Sequence, residues 1–197
     1  SFSINPTETL PQMGAGEIRS LMLDNKKRYW VSNRDDKTVC LFAADNSLIG
    51  YLDRNGRISK SYVSFGSPVY CITQTTNGTI WLGSKPDGLF RLSENANGTF
   101  CISKIEGLNN NNVYDIKEDR LGRLWLATLG GGINCLINPY DDTPEVVHSG
   151  NGFADYPEKD FVKVRNILII NDSTILASST DGLIVVEIKG KTDLKKA

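Results

Sequence analysis

Short apolar runs, rich in β-branched and aromatic residues, recur along the chain between segments of Gly, Asn and Asp. The stretch 113–148 contains four of them: Val113 to Lys117, Arg123 to Thr128, Ile133 to Ile137, and Glu145 to His148. Runs of this length and composition, bounded by turn residues, predict β-strands. Polar links such as Asn77-Gly78 supply the positive φ angles of tight hairpins. The pattern therefore predicts a four-stranded antiparallel meander.

The same pattern occurs four times, each copy marked by one large apolar residue in its second predicted strand. The marker residues are Trp30, Trp81, Trp125 and Leu176, separated by 51, 44 and 51 residues. A period in this range, built from short strands, indicates propeller blades rather than a helical solenoid. We predict an all-β fold, a β-propeller of about four blades, in a single domain over 1–197. The repeats cover approximately 18–65, 69–105, 113–148 and 164–188.

The tryptophans are predicted to be structural. Each lies among apolar neighbours, as in Leu124-Trp125-Leu126, which is expected for a strand buried on both faces between two other sheets. Burying one indole removes roughly 150–250 Å² from water, so scaffold packing outweighs a ligand-stacking role. We therefore assign Trp30, Trp81, Trp125 and Leu176 to the blade core.

The phase of the repeat suggests how the blades are completed. Phe2-Ser3-Ile4 precedes the first unit as Phe100-Cys101-Ile102 precedes the third, so residues 1–5 are expected to form a closing outer strand. The last unit reaches its third strand at Leu183 to Ile188. Four units with this phase describe part of a larger ring, so we expect a fragment of a larger propeller of the seven-bladed type. Unpaired blade faces would also favour a homodimer.

Composition narrows the classes of partner. The 22 basic and 23 acidic residues give a net charge of −1 without a basic stripe, which argues against nucleic acid. No apolar run approaches the roughly 20 residues of a membrane span. Cys40 and Cys135 occupy equivalent positions in different repeats, and we expect them to be small buried thiols. Without a C-x-x-C pair, no metal site is predicted, and no cofactor is expected.

Catalytic signals are weak. Gly130-Gly131-Gly132 lacks the Lys-Ser/Thr of a phosphate loop and is expected to be a hairpin turn. His148 is the single histidine, and no nucleophile-elbow motif accompanies it. No catalytic residue is therefore assigned.

A binding surface can be predicted from the meander itself. The loop before the first strand and the loop between the second and third strands lie on the same face of a blade, and propeller function usually resides on such loops. The candidate ligand-binding residues on these loops are Arg34, Lys85, Asp87, Asn110 and Tyr156. The polar members could bond hydroxyls or carboxylates, and the aromatic one could stack on a sugar ring.

The third repeat resembles a known family. Val113-Tyr114-Asp115-Ile116, Glu118-Asp119, Gly122, Leu124-Trp125-Leu126-Ala127-Thr128 and Gly131-Gly132-Ile133 follow the two-component regulator propeller repeat. The second repeat is similar at Ile80-Trp81-Leu82-Gly83-Ser84. The first repeat carries Lys27-Arg28 where the turn glycine is expected, and the fourth replaces Trp by Leu176.

The resemblance implies a function. Repeats of this family form the extracytoplasmic sensors of membrane-anchored hybrid two-component proteins in polysaccharide-degrading bacteria. For this chain the resemblance implies a location in the periplasm. We therefore expect a non-catalytic module that binds an oligosaccharide or another small ligand and signals to a downstream histidine kinase in a phosphorelay. Two alternatives remain open: a carbohydrate-active propeller enzyme, either lyase or glycosidase, and a protein-interaction scaffold.

Overall fold

The computed structural model describes residues 14, 16–153, 156–157 and 159–188, and these fold into sixteen β-strands. The expected closing strand at 1–5 lies outside the described residues. In the described part of the chain, no helix has the length and hydrophobicity needed to cross a bilayer. The strands form four separate antiparallel sheets, each in simple sequence order, so every sheet is a meander.

The first sheet contains β1 (Ile18–Leu23), β2 (Tyr29–Asn33), β3 (Thr38–Phe42), β4 (Leu48–Leu52) and β5 (Ile58–Ser59). The second contains β6 (Val69–Gln74), β7 (Ile80–Ser84), β8 (Leu89–Glu94) and β9 (Phe100–Ile105). The third contains β10 (Val113–Glu118), β11 (Leu124–Thr128), β12 (Gly132–Leu136) and β13 (Val146–His148). The fourth contains β14 (Val164–Asn171), β15 (Thr174–Ser179) and β16 (Gly182–Glu187).

The sheets are propeller blades packed face to face. Their first strands contact one another in series, β1 with β6, β6 with β10, and β10 with β14, so these strands line the propeller axis. The all-β propeller prediction is confirmed, with two differences in strand number. The first blade has the extra short strand β5, and the described part of the fourth blade has three strands.

Apolar side chains fill each space between neighbouring blades. Trp30, Trp81 and Trp125 are fully buried, and each contributes to the cluster between its own sheet and the next one. The Trp30 ring meets Phe100 of the second blade edge-on, with 5.2 Å between ring centroids. Leu176 is only half-buried, because its side chain is on the outward face of the fourth sheet.

The cysteines are free thiols. Cys40, Cys71 and Cys135 are buried, and Cys101 is exposed. Burial raises the pKa of the Cys40 thiol to about 11 and raises the pKa values of Cys71 and Cys135 as well. Their role in the structure is therefore that of small apolar side chains.

Each first strand also carries a β-bulge one residue after it begins. The pairing register shifts between Ile18 and Ser20, between Val69 and Cys71, between Val113 and Asp115, and between Val164 and Asn166. A bulge leaves one residue outside the ladder and redirects its side chain. Four side chains, one per blade, are therefore displaced at the same level along the propeller axis.

Candidate functional site

The loops at one end of the propeller form a surface that we call the loop face. It consists of the segments that precede the first strand of each blade and those that join its second and third strands. Equivalent backbone hydrogen bonds of 2.9–3.2 Å connect the two kinds of segment in all four blades. They run from Arg34 to Glu17, Lys85 to Pro68, Leu129 to Asn112, and Thr180 to Lys163. The repeat thus gives each blade a similar, rigid loop pair.

The opposite end is organised by buried carboxylates in the turns between first and second strands. The Asp24 carboxylate accepts hydrogen bonds from the backbone N–H groups of Lys26 and Arg28, from the Arg28 guanidinium, and from the Trp30 indole. Their lengths are 2.7–3.0 Å. Burial alone would raise the pKa of Asp24, but the bonds from Trp30 and Arg28 outweigh it, and the pKa is lowered.

The third blade has the same arrangement around a buried carboxylate, and the second blade has a simpler one around a hydroxyl. Asp119 accepts from the backbone of Leu121, from the backbone and guanidinium of Arg123, and from the Trp125 indole. In the second blade Thr75 takes the carboxylate's place, and its hydroxyl accepts a 3.3 Å bond from Trp81. The tryptophan is therefore fixed from the turn that precedes it.

This opposite end also joins the blades. The Arg28 guanidinium donates two bonds of 2.8 and 2.9 Å to Glu94 in the second blade. Arg123 donates to the Asp172 carbonyl of the fourth blade at 3.1 Å. The charged groups of these turns are largely buried, whereas those of the loop face stay partly exposed, so the loop face is the better candidate for ligand binding.

Arg34 is in the β2–β3 loop on the loop face and is about one third exposed. It forms ion pairs with Glu17 and with Asp35, the latter at 2.7 Å. The hydrogen bond to Asp35 raises the pKa of Arg34, and the same bond lowers the pKa of Asp35. Arg34 is therefore held in a charged cluster at the loop face.

Lys85 and Asp87 are in the β7–β8 loop. A cis peptide bond joins Lys85 to Pro86, and both Lys85 and Asp87 are half-buried. The Asp87 carboxylate accepts a 2.7 Å hydrogen bond from the Ser67 hydroxyl and lies 3.4 Å from the Arg54 guanidinium. Through Ser67, Asp87 thus links the β7–β8 loop to the segment that joins the first blade to the second.

Asn110 and Tyr156 have local structural contacts. The Asn110 side chain accepts a 2.9 Å bond from the backbone of Asn112. The Tyr156 hydroxyl donates to the Phe161 carbonyl at 2.9 Å, its ring joins the core between the third and fourth blades, and burial raises its pKa to about 12. Phe153 stacks on Trp125 with 6.1 Å between centroids, so this loop packs as part of the core.

A group of side chains that sequence reasoning missed lies at the axial edge of the loop face. It consists of the four bulged residues Arg19, Tyr70, Tyr114 and Arg165, which we call the axial row. The Arg19 guanidinium is 4.5 Å from the Tyr70 ring centroid, the two tyrosine centroids are 4.7 Å apart, and Arg165 is 5.9 Å from Tyr114. The row crosses all four blades.

The sequence did contain a signal for this row. Its members are separated by 51, 44 and 51 residues, the same intervals as Trp30, Trp81, Trp125 and Leu176. Each follows the first apolar residue of its first strand, as Tyr114 follows Val113. What the sequence could not show is the bulge, which determines that these side chains leave the ladder.

No grouping of three or more His, Cys, Asp or Glu side chains that could hold a metal ion is found among the described residues.

The family model described as "Two component regulator propeller" matches residues 64–85 and 107–130. These segments cover the start of the second and third blades through the tryptophan strand, and they support a sensor-type propeller. No curated protein matches the chain in sequence.

Solved structures show similarity in fold. The extracellular domain of a B. thetaiotaomicron protein described as a hybrid two component system superposes with a TM-score of 0.62 at 21% identity, over 89% of this chain and 23% of that one. PorZ, a surface component of the type-IX secretion system of Porphyromonas gingivalis, gives 0.66 at 19% identity, over 91% and 27%. A catalytically inactive virginiamycin B lyase from Staphylococcus aureus gives 0.57 at 13%, over 93% and 59%. This chain thus spans about a quarter of the first two proteins.

Proposed function

We propose that this chain, a β-propeller segment with two-component regulator propeller repeats, belongs to the extracytoplasmic sensor of a hybrid two-component signalling protein. In this proposal it recognises a glycan-derived ligand on its loop face. The observation that carries the proposal is the family match at 64–85 and 107–130. Fold similarity alone would not suffice, because propellers host many functions.

The two ends of the propeller differ in how their polar side chains are used, and this difference supports a binding site on the loop face. Turns at the opposite end use their carboxylates and guanidinium groups to fix tryptophans and to join blades. The loop face instead carries partly exposed polar and charged residues such as Arg34, Lys85 and Asp87, on loops supported by backbone hydrogen bonds. Ligand sites on rigid scaffolds commonly have this arrangement.

The proposed role is binding and signalling without catalysis by this segment. A ligand that binds one arrangement of the sensor more tightly shifts the equilibrium toward it, and a histidine kinase elsewhere in the protein would respond to that shift. The size of the shift depends only on the difference in affinity between the two arrangements. We place this sensor in the periplasm, in a protein anchored to the inner membrane.

Calorimetry on the complete protein, with a panel of oligosaccharides from different polysaccharides, tests the proposal. We expect saturable binding of one glycan class, with a dissociation constant far below about 1 mM. Absence of any binder at millimolar concentration would overturn it. Release of shortened sugars from a polysaccharide by the purified protein would instead support the carbohydrate-active enzyme.

A further inference from the structure

We propose that the axial row of Arg19, Tyr70, Tyr114 and Arg165 binds an acidic group, a carboxylate or sulfate, of a sugar ligand. This inference rests on the proposed glycan-sensing function and names the chemical class of its ligand. It also assigns the ligand's position, at the axial edge of the loop face rather than in an individual loop.

The guanidinium groups and tyrosine hydroxyls of the axial row form a line of hydrogen-bond donors across the propeller axis. The tyrosine rings lie between the two arginines, with Arg19 over the Tyr70 ring and Arg165 beside Tyr114. A guanidinium held against a ring by cation–π attraction keeps its N–H groups in its own plane, free to bond an anion at the edge. Planar, two-pronged donation of this kind suits carboxylate and sulfate oxygens.

Several polar atoms of the axial row are available to form hydrogen bonds with a ligand. Within the residues that the structure describes, no hydrogen bond or ion pair involves the Tyr70 hydroxyl, the Tyr114 hydroxyl or the Arg165 guanidinium. Both tyrosines are half-buried, and Arg165 is exposed. A phenol hydroxyl can donate one hydrogen bond and accept others, so the pair can also bond sugar hydroxyls.

The charges around the row favour an anion. Glu17 is shared between Arg19 and Arg34, and Asp35 pairs with Arg34. Arg19 and Arg34 are paired with Glu17 and Asp35, whereas Arg165 has no ion pair among the described residues, so Arg165 leaves an unpaired positive charge at its end of the row.

The neighbouring acid does not cancel this excess. Asp115, which follows Tyr114, is buried, and its carboxylate accepts bonds from Lys117 at 3.0 Å and from the Ile167 backbone at 2.8 Å. Its charge is therefore compensated, and the carboxylate ties the third blade to the fourth. The bulges place Tyr114 and Arg165 close to this interblade bond, on packed strands rather than in loops.

Three tetrasaccharides of equal length, measured by calorimetry on the complete protein, test the assignment: galacturonic acid, O-sulfated galactose and neutral galactose oligomers. We expect one or both acidic probes to bind, and neutral galactose to bind at least about tenfold more weakly, because charge-assisted bonds are lost. Affinity for the acidic probe should fall as salt increases.

Variants then locate the site. Arg165→Gln, and Tyr70→Phe combined with Tyr114→Phe, should each weaken acidic-probe binding by about tenfold or more, since each removes donors but keeps most of the packing. Arg165→Lys should retain part of the affinity. The matched control is Arg120→Gln, the same change at an exposed arginine of the opposite end, and it should leave affinity unchanged. Thermal unfolding of every variant checks that the fold is intact.

The outcomes separate the two proposals. If a probe binds but the row variants have the affinity of the control, or if only the neutral probe binds, the axial row is not the site while glycan sensing stands. If none of the three probes binds but another glycan of the wider panel does, the acidic-ligand assignment also fails. If no glycan binds at all, the proposed function itself is overturned.

Discussion

At the scale of single residues, buried carboxylates connect the repeat motif to stability. Asp119 is 6% exposed and accepts four hydrogen bonds, two of them from the backbone of its own turn. Thr75, at the same place in the second blade, accepts one bond from Trp81, and its single hydroxyl hydrogen is shared between the Asn77 side-chain oxygen and the Thr79 carbonyl. Two residues at equivalent positions therefore form different numbers of hydrogen bonds and should contribute differently to stability.

Replacing Asp119 with Ala should destabilise the protein by about 3–5 kcal/mol, because Arg123 would remain buried without its counter-ion. The matched control Thr75→Ala leaves no charge unpaired and should cost about 1 kcal/mol. Urea unfolding followed by tryptophan fluorescence measures both changes. Equal losses from the two variants would show that the carboxylate has no special role.

The same chemistry gives a pH dependence. The pKa values of Asp24 and Glu94 are lowered from 3.8 and 4.5, since bonds from Trp30 and Arg28 to Asp24, and from Arg28 and Lys26 to Glu94, exceed the opposing effect of burial. A lowered pKa in the folded state means that this stabilisation is complete above the unfolded values and is lost as pH falls below them.

We therefore expect the carboxylate contribution to the free energy of unfolding to be lost below about pH 4. Burial lowers the pKa of His148 from 6.5, so a separate loss begins as pH falls below that value. Glu94→Gln should make the acid-side decline shallower, because one of the contributing groups no longer titrates. Urea midpoints measured at successive pH values test this. Stability that is unchanged or higher at pH 3 would contradict it.

At the scale of elements, turns hold the blades in register with their neighbours. The β4–β5 turn of the first blade docks on the second, where the Phe100 N–H donates to the Gly56 carbonyl at 2.7 Å. Gly56 has a φ of 81°, and a Cβ there would lie 1.8 Å from the Phe100 carbonyl oxygen. Only glycine permits this approach.

Gly56→Ala should therefore separate the two blades locally and cost more than about 2 kcal/mol, since backbone strain and a steric clash add. Gly98→Ala is the matched control: its φ is 78°, but no atom lies within 4 Å of the position that a Cβ would take. The control should cost only about 1 kcal/mol, for the left-handed conformation. Similar costs, measured by urea unfolding, would refute the docking role.

Many of the strands and turns could be predicted from the sequence, and the exceptions have physical reasons. Short apolar runs bounded by turn residues predicted the four strands of the third blade, because packing between sheets requires apolar side chains there. Lys27, with a φ of 62°, shows that a lysine can take the conformation of the missing turn glycine. Neither the added strand β5 nor the burial of Tyr156 was visible locally, since both depend on tertiary contacts.

At the scale of the whole molecule, both outer blade faces keep exposed apolar side chains among the described residues, although Val31, Cys40, Phe42 and Tyr51 on the outer face of the first blade are buried. Ile72, Ile116 and Ile167 are buried against the preceding blade, whereas Leu21 at the equivalent position of the first blade is 71% exposed. On the fourth blade, Leu168, Leu176 and Val185 form one cross-strand row, and Leu168 and Val185 are more than half exposed. Each face thus exposes apolar side chains at positions that a neighbouring blade covers elsewhere in the propeller.

We propose that the isolated chain pairs with a second copy through these faces, the fourth blade of one on the first blade of the other. Leu21→Lys and Leu168→Lys should each convert the dimer to a monomer by burying a charge, while Leu121→Lys, at an exposed turn leucine, should not. Mixing the two interface variants should restore a weaker heterodimer, because one unaltered interface remains. Sedimentation analysis that shows a monomeric unaltered chain would refute the pairing.

Ligand recognition on the loop face is most directly tested by hydrogen–deuterium exchange of the complete protein with and without the bound oligosaccharide. Peptides that contain the starts of β1, β6, β10 and β14 should exchange more slowly with ligand, because a bound ligand suppresses local opening of the strand ends that it contacts. The turns at 24–28, 75–79 and 119–123 should be unchanged. Protection confined to those turns, with none at the axial row, would contradict the assignment of the loop face as the sensing surface.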